Sequence, residues 1–156
     1  MLEIKTTAFK PSEFIPKKHT GEGADLSPEL SWSGAPKETR SFALIMEDPD
    51  APPGLWIHWL LYDVPQDVHK LSEGLPKTES LANGGKQGLC WGVDKFERVG
   101  YFGPYPPPGS PHRYFFKLYA LDKVLGLAPK AAKKQLEAAM AGHILAQAEA
   151  VGIYKR

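Results

Sequence analysis

Cysteine is nearly missing from this chain: Cys90 stands alone among 156 residues, so no intrachain disulfide can form and a disulfide-built secreted scaffold is excluded. Long apolar runs are missing too. No stretch approaches the roughly 20 residues that a membrane-spanning helix needs. The opening MLEIKTTAFK has no apolar core of the signal-peptide kind, so a cytoplasmic protein is expected. A charge excess of either sign is also absent, since 19 Lys and Arg offset 18 Asp and Glu to leave +1. Nucleic acid and anionic membrane surfaces both require concentrated basic charge. The one local basic excess, Lys130, Lys133 and Lys134, reads as the solvated face of a helix. With no repeat, low-complexity tract or linker, residues 1–156 read as a single domain of ordinary size.

What the chain does hold is punctuation. Glycine and proline number 15 each, too many for a helical bundle. Between them lie short runs rich in β-branched and aromatic residues: 42–47 (FALIME), 57–64 (IHWLLYDV) and 114–121 (YFFKLYAL). All three are apolar on both faces, as central strands between two layers are. Weaker strands are expected at 2–5 and 30–32. The connections 48–56, 65–88 and 92–111 are long and carry Pro and Gly, a pattern of functional or internally packed loops. From 128 to 154 the chain turns Ala-rich, with Pro129 suited to a first helical turn and Gly142 as an interruption. Leu136, Ala139, Met140, His143, Ile144 and Gln147 recur at three- and four-residue spacing, which predicts two short helices packed on a sheet. Strands first and helices last give a mainly β, α+β fold class.

Three motifs carry chemistry. In Asp48-Pro49-Asp50-Ala51-Pro52, an apolar strand runs into two acids and two prolines. The prolines end sheet pairing and hold the carboxylates at a rigid strand end; the plain alternative is a turn in which Asp50 bonds its own backbone. His58 sits inside the apolar Trp56-Ile57-His58-Trp59-Leu60, where a hydrogen-bonded core histidine is the ordinary reading. The third motif is Gly103-Pro104-Tyr105-Pro106-Pro107-Pro108-Gly109-Ser110-Pro111-His112-Arg113-Tyr114, a rigid loop feeding an aromatic strand. It suits an anion cradle, or else a polyproline connection or ligand segment. Strand alternation places His112, Tyr114, Phe116 and Leu118 on one face and Arg113, Phe115 and Lys117 on the other.

Taken in order, Asp-Pro-Asp-Ala-Pro, Trp-x-His and Gly-x-x-Pro-Pro-x-Gly-x-x-His-Arg-Tyr resemble the phosphatidylethanolamine-binding protein family. The nearest likeness is to its bacterial and archaeal Raf-kinase-inhibitor-like branch. Ser27-Pro28-Glu29-Leu30-Ser31-Trp32 and the C-terminal Gly142-His143-Ile144-Leu145-Ala146 and Gly152-Ile153-Tyr154-Lys155-Arg156 add to the resemblance, which runs from about Ser27 onward.

The resemblance implies two packed antiparallel sheets, a sandwich with short C-terminal helices, and a small anion-binding pocket at the strand ends. Carried over by position, that pocket is lined by Asp48, Pro52, Trp56, His58, Tyr105, Pro106, Pro107, His112 and Tyr114. His58 and His112 would donate to a phosphate-like or phosphorylethanolamine-like ligand, joined by backbone amides of 105–109. Asp48 would orient a ring or accept from the Tyr114 phenol. Histidines titrate near 6.5 when unperturbed, so anion affinity is expected to fall as pH rises through neutrality. Tyr105 and Glu22 stand where related prokaryotic sequences often have cysteine, and Ile57 where longer relatives can have a second histidine.

The resemblance further implies a regulator or inhibitor of a kinase or protease, with homodimerisation as in the prokaryotic branch; no cofactor, metal or nucleic acid is expected. Two other functions compete. One is a hydrolase or metal-dependent enzyme working through the His/Asp pocket; no nucleophile elbow or HExxH spacing specifies it. The other is an interaction protein whose pocket is vestigial and whose rim at 104–108 makes the contact. Lys17, Lys18, His19 and His69 read as surface residues, and His143 as structural or at a dimer contact.

Overall fold

The strongest apolar runs become the middle of a five-stranded sheet. A computed structural model of the chain describes residues 1–90 and 98–156, so the first part of the loop expected over 92–111 lies outside the described residues. Strand β3, Ser41–Asp48, pairs antiparallel with β4, Trp56–Pro65, on one side and with β7, His112–Leu121, on the other. A short β6, Lys86–Gln87, borders β4, and β8, Ile144–Tyr154, borders β7, giving the order β6-β4-β3-β7-β8. A second sheet of three strands, β1 Glu3–Lys5, β2 Leu30–Ser33 and β5 Lys70–Leu71, has the order β1-β2-β5. The α+β sandwich expected from the sequence is therefore the observed fold.

Alternation along β3 explains why it is apolar on both faces. Phe42, Leu44 and Met46 join Leu30, Trp32, Trp59, Phe116 and Leu118 in the core between the sheets. Ala43 and Ile45 join Leu60, Tyr62, Leu121, Leu136 and Met140 on the opposite face. Every residue of β3 is buried. At roughly 25 cal/mol per Å² of apolar surface removed from water, these two layers are the main source of stability. The outer layer is closed by the helix α1, Lys133–Met140, which buries Leu136 and Met140.

The second C-terminal helix is not formed. After α1 the chain turns at Gly142 (φ 80°), and residues expected to be helical run as β8 in register with β7, from His112↔Tyr154 to Leu121↔Ile144. Helical spacing was present, but so was alternation: Ala146, Ala148 and Ala150 pack on the inner core while Leu145, Gln147 and Glu149 face out. The unpaired N–H and C=O groups along β7 decide between the two, because an open edge leaves a whole ladder unsatisfied. Pro129 also lies ahead of the helix rather than in its first turn, and Lys133 pairs with the buried Glu47 at 3.3 Å instead of merely facing solvent.

The N-terminal segment lies along part of the outer edge of β8. Ser12 N–H donates to Val151 O (2.8 Å), Ile15 N–H to Ile153 O (2.9 Å), and Ile153 N–H to Glu13 O (3.0 Å). Gly152 permits this approach, since a Cβ there would sit 2.6 Å from Ile15 Cγ1.

Candidate functional site

The ends of β3, β4 and β7 meet at one side of the large sheet. Asp48 closes β3 opposite Trp56, which opens β4, and His112 opens β7. Asp48, Trp56, His58, His112 and Tyr114 are thereby drawn around one cavity. Pro52, Tyr105, Pro106 and Pro107 enter from the two connecting loops. All nine residues singled out in the sequence line this cavity of about 380 Å³, together with Ala51 and Pro53. The floor is buried, with Asp48 2%, His58 4%, His112 9% and Tyr114 1% exposed, whereas Tyr105 at the rim is 52% exposed.

The polar groups of the floor are held individually. His112 Nδ1 lies 2.7 Å from Asp48 Oδ2, and Asp48 Oδ1 accepts the Asp50 N–H at 2.7 Å. The turn is therefore closed by Asp48, and Asp50 does not bond its own backbone. Asp50 instead takes Arg113 Nε and Nη2, each at 2.9 Å, and the Arg113 N–H. Those hydrogen bonds hold the Asp50 carboxyl down at about 2. Arg113 points away from the cavity, as alternation predicted.

His58 is anchored differently. Its Nδ1 lies 2.6 Å from Phe102 O, and Phe102 N–H donates back to His58 O at 3.1 Å. Burial lowers the His58 pKa, against the opposing pull of the Phe102 carbonyl and Asp48. The Tyr114 ring meets the His58 ring edge-on, centroids 5.3 Å apart. Burial, and then the charge and hydrogen bond of Asp48, raise the Tyr114 phenol far above the usual tyrosine range.

Phe102 is a site residue that sequence reasoning did not reach, as are the groups that fix it. Gly103 N–H donates to Asp25 Oδ1 (2.8 Å) and Tyr101 O–H to His19 O (2.7 Å). Lys77 Nζ donates to the Tyr101 carbonyl and sits 4.5 Å from the Phe102 ring centroid. Any side chain at Gly103 would collide with His19 O, 2.1 Å from the Cβ position. Only Pro53, beside Pro52, had a local cue; Asp25 and Lys77 come from remote segments with none. His19 is not a surface residue: it is fully buried, with Nδ1 2.8 Å from Leu26 O.

Two further expectations change. Pro106, Pro107 and Pro108 have no N–H, and the Gly109 N–H is donated to Arg156 O at 3.3 Å. Residues 106–109 thus form a wall of rings rather than a cradle of amides. Ile57, buried in the outer core layer, faces away from the cavity. The position of Glu22 has a structural use, accepting the Tyr154 O–H at 2.5 Å. Tyr105 lies under the Arg156 guanidinium, 4.0 Å from its ring centroid, while Arg156 Nε donates to Pro106 O at 2.6 Å.

Among the described residues, no three His, Cys, Asp or Glu side chains cluster so as to hold a metal ion. Cys90 is 1% exposed, and burial pushes its thiol up to about 12. His143 bonds Asp122 through Nδ1 at 2.8 Å at the turn into β8. No described helix is long and apolar enough to cross a membrane.

Known proteins are similar to this chain in sequence and fold over nearly its whole length. The family described as phosphatidylethanolamine-binding protein matches residues 5–155. A UPF0098 protein of Aquifex aeolicus is 46% identical over 158 residues, covering 100% of this chain and 90% of the relative. One from Methanothermobacter thermautotrophicus is 44% identical over 155 residues, covering 99% of each. Among solved structures, a phosphatidylethanolamine-binding protein homolog from Chlamydia trachomatis superposes with a TM-score of 0.88 at 41% identity, covering 99% of this chain and 97% of that one. Escherichia coli YBCL, described as a new member of the mammalian family, gives 0.87 at 30% identity, covering 99% and 98%. With the family model matching residues 5–155, and relatives matching in sequence and in fold over nearly the whole chain, the chain belongs to the phosphatidylethanolamine-binding protein family.

Proposed function

We propose that the cavity binds a small oxyanion, a phosphate or the phosphoryl group of a phosphorylethanolamine-like ligand, and that the protein acts as a binding or regulatory module. One observation carries this reading. His58 and His112 both line the cavity, and each has Nδ1 committed to a protein acceptor, which leaves Nε2 of each ring for a ligand. Trp56, Pro52, Pro53, Pro106 and Pro107 supply apolar walls that exclude water around those nitrogens and strengthen polar contacts there.

Regulation of a kinase or protease, the role the family resemblance implies, would act through the rim. Tyr105 both lines the cavity and is half exposed, so an occupied and an empty cavity would present different surfaces to a partner. A hydrolytic reading is less well supported, because the Cys90 thiol is buried and protonated and Ser110 is exposed on the loop.

Titration calorimetry with phosphate and phosphorylethanolamine at pH 6 and pH 8, on wild type, His58→Ala and His112→Ala, tests the reading. Saturable binding that weakens at pH 8 and is lost in both variants is expected. Absence of binding to the folded wild-type protein at both pH values would move the rim-contact reading ahead.

A further inference from the structure

We propose that the uncovered half of β8 joins a second copy of this chain, strand to strand and antiparallel, about a two-fold axis at Gln147. This contact is independent of the oxyanion-binding reading above.

The edge is open over a defined length. Val151 and Ile153 turn backbone groups outward, where Ser12, Glu13 and Ile15 bond them. Alternation turns the N–H and C=O groups of Gln147 and Glu149 to the same side, away from β7. Among the described residues, no further strand or loop backbone bonds to them. Ser12 closes the open stretch at Val151, and the Gly142 turn closes it at the other end. The other sheet edges are short or guarded. β5 and β6 have two residues each, and β1 has three, with Glu3 and Lys5 at its ends. In contrast, β8 reads Ile-Leu-Ala-Gln-Ala over 144–148, without a charge, and leaves Ile144 44% and Leu145 38% exposed. An uncharged edge of this length beside exposed apolar side chains is a template for strand addition.

A second copy fits because the open stretch is complementary to itself. In an antiparallel pair, residues that exchange hydrogen bonds lie directly opposite each other. Setting Gln147 opposite Glu149 would bring Leu145 of the second copy beside Val151, whose carbonyl Ser12 already holds. Setting Gln147 opposite Gln147 avoids that collision and ends the pairing where the open stretch ends. Ala146 then faces Ala148 of the second copy, small side chains where the two backbones come closest, and Leu145 lies beside Glu149 of the second copy. The one charge of the strand does not oppose the contact. The two Glu149 residues stand at least ~13 Å apart along the strands, and each keeps Lys117 opposite it on β7. A single patch serves both copies, as two-fold symmetry requires. The two large sheets run on as one of ten strands, five from each copy. His112 pairs with Tyr154 at the far end of β8, so the two cavities open at opposite ends of the joined sheet, clear of the contact.

Sedimentation equilibrium of the full chain over a wide range of concentration tests the contact. Wild type is expected to pass from monomer to dimer mass as concentration rises. Gln147→Lys and Gln147→Glu each set like charges against one another at the axis, and each should weaken association by roughly tenfold or more. An equimolar mixture of the two variants should associate again, because opposite charges then meet at the axis. Gln147 is exposed, so both variants should keep the wild-type urea midpoint. Gln147→Pro, which removes an N–H that points away from β7, should dissociate the pair as well. A wild type that stays monomeric at every concentration would overturn the proposal. Folded charge variants that dimerise as wild type does would also overturn it, by placing the contact elsewhere, such as the cavity rim. Charge variants that dissociate yet fail to recombine on mixing would overturn the two-fold axis at Gln147 and leave the edge to a different polypeptide.

Discussion

The Asp48 carboxylate serves two donors at once: Oδ2 faces His112 Nδ1 and Oδ1 takes the Asp50 N–H, both at 2.7 Å. An amide serves both only with its NH2 turned to a His112 ring whose Nδ1 has given up its proton. Asp48→Asn should therefore replace a charge-assisted bond to His112 by a neutral one, costing about 1–3 kcal/mol in urea unfolding. Phosphate affinity should drop roughly tenfold. Unchanged affinity in a folded variant would take Asp48 out of the site.

Gly103→Ala tests the clamp behind His58. The new Cβ would lie 2.1 Å from His19 O, a backbone atom with nowhere to go. A loss of roughly 2 kcal/mol or more is expected in thermal or urea unfolding, with weakened phosphate binding as the Phe102 carbonyl shifts. A variant as stable as wild type would mean the segment has slack that the clamp denies it.

His58 also predicts a pH dependence of stability. Burial holds its folded pKa below the usual histidine value of 6.5, so the unfolded chain takes up the proton first and stability falls as pH drops through about 6.5. In phosphate-free buffer the urea midpoint should decline from pH 7.5 to 5.5, and less so in His58→Gln. Identical slopes in the two proteins would assign the decline to other groups.

The Asp50–Arg113 pair makes a smaller contribution of the same sign at lower pH. The Asp50 pKa is lowered from 3.8 to about 2, so its stabilisation is present above pH 3.8 and is lost as pH falls toward 2. Arg113 is 55% exposed in its side chain, and such pairs are worth about 0.2–1 kcal/mol. Arg113→Ala should cost no more than that and leave phosphate affinity within about twofold.

Cys90 should be inert in the native state. Buried, with a pKa near 12, it should react with a thiol reagent at pH 8 only after denaturant is added. Rapid labelling of native protein would contradict its burial.

Much of the site was legible because its residues sit where local signals are strong. Asp48 and His112 stand at the ends of apolar strands beside prolines, and alternation alone separated His112 and Tyr114 from Arg113. The Phe102 carbonyl, Asp25 and Lys77 were not legible, since they meet His58 only through contacts from separate segments that carry no periodic or compositional mark. The strand at Ile144–Tyr154 was hidden for another reason. Alanine fits a helix intrinsically, and the open ladder of β7 that overrides this preference exists only in the assembled sheet.

The segment that brings Ser12 and Ile15 onto β8 has a consequence for how this molecule behaves in a crowd. A sheet that ends in a bare strand is a template for growth, and β8 is eleven residues long with Glu149 as its one charged side chain. By bonding to Val151 and Ile153, the chain converts the end of that strand nearest the cavity from template into interior. The cavity's side of the sheet is thereby closed to strand addition by another polypeptide, and ligands can approach it without competition from aggregation at the same edge.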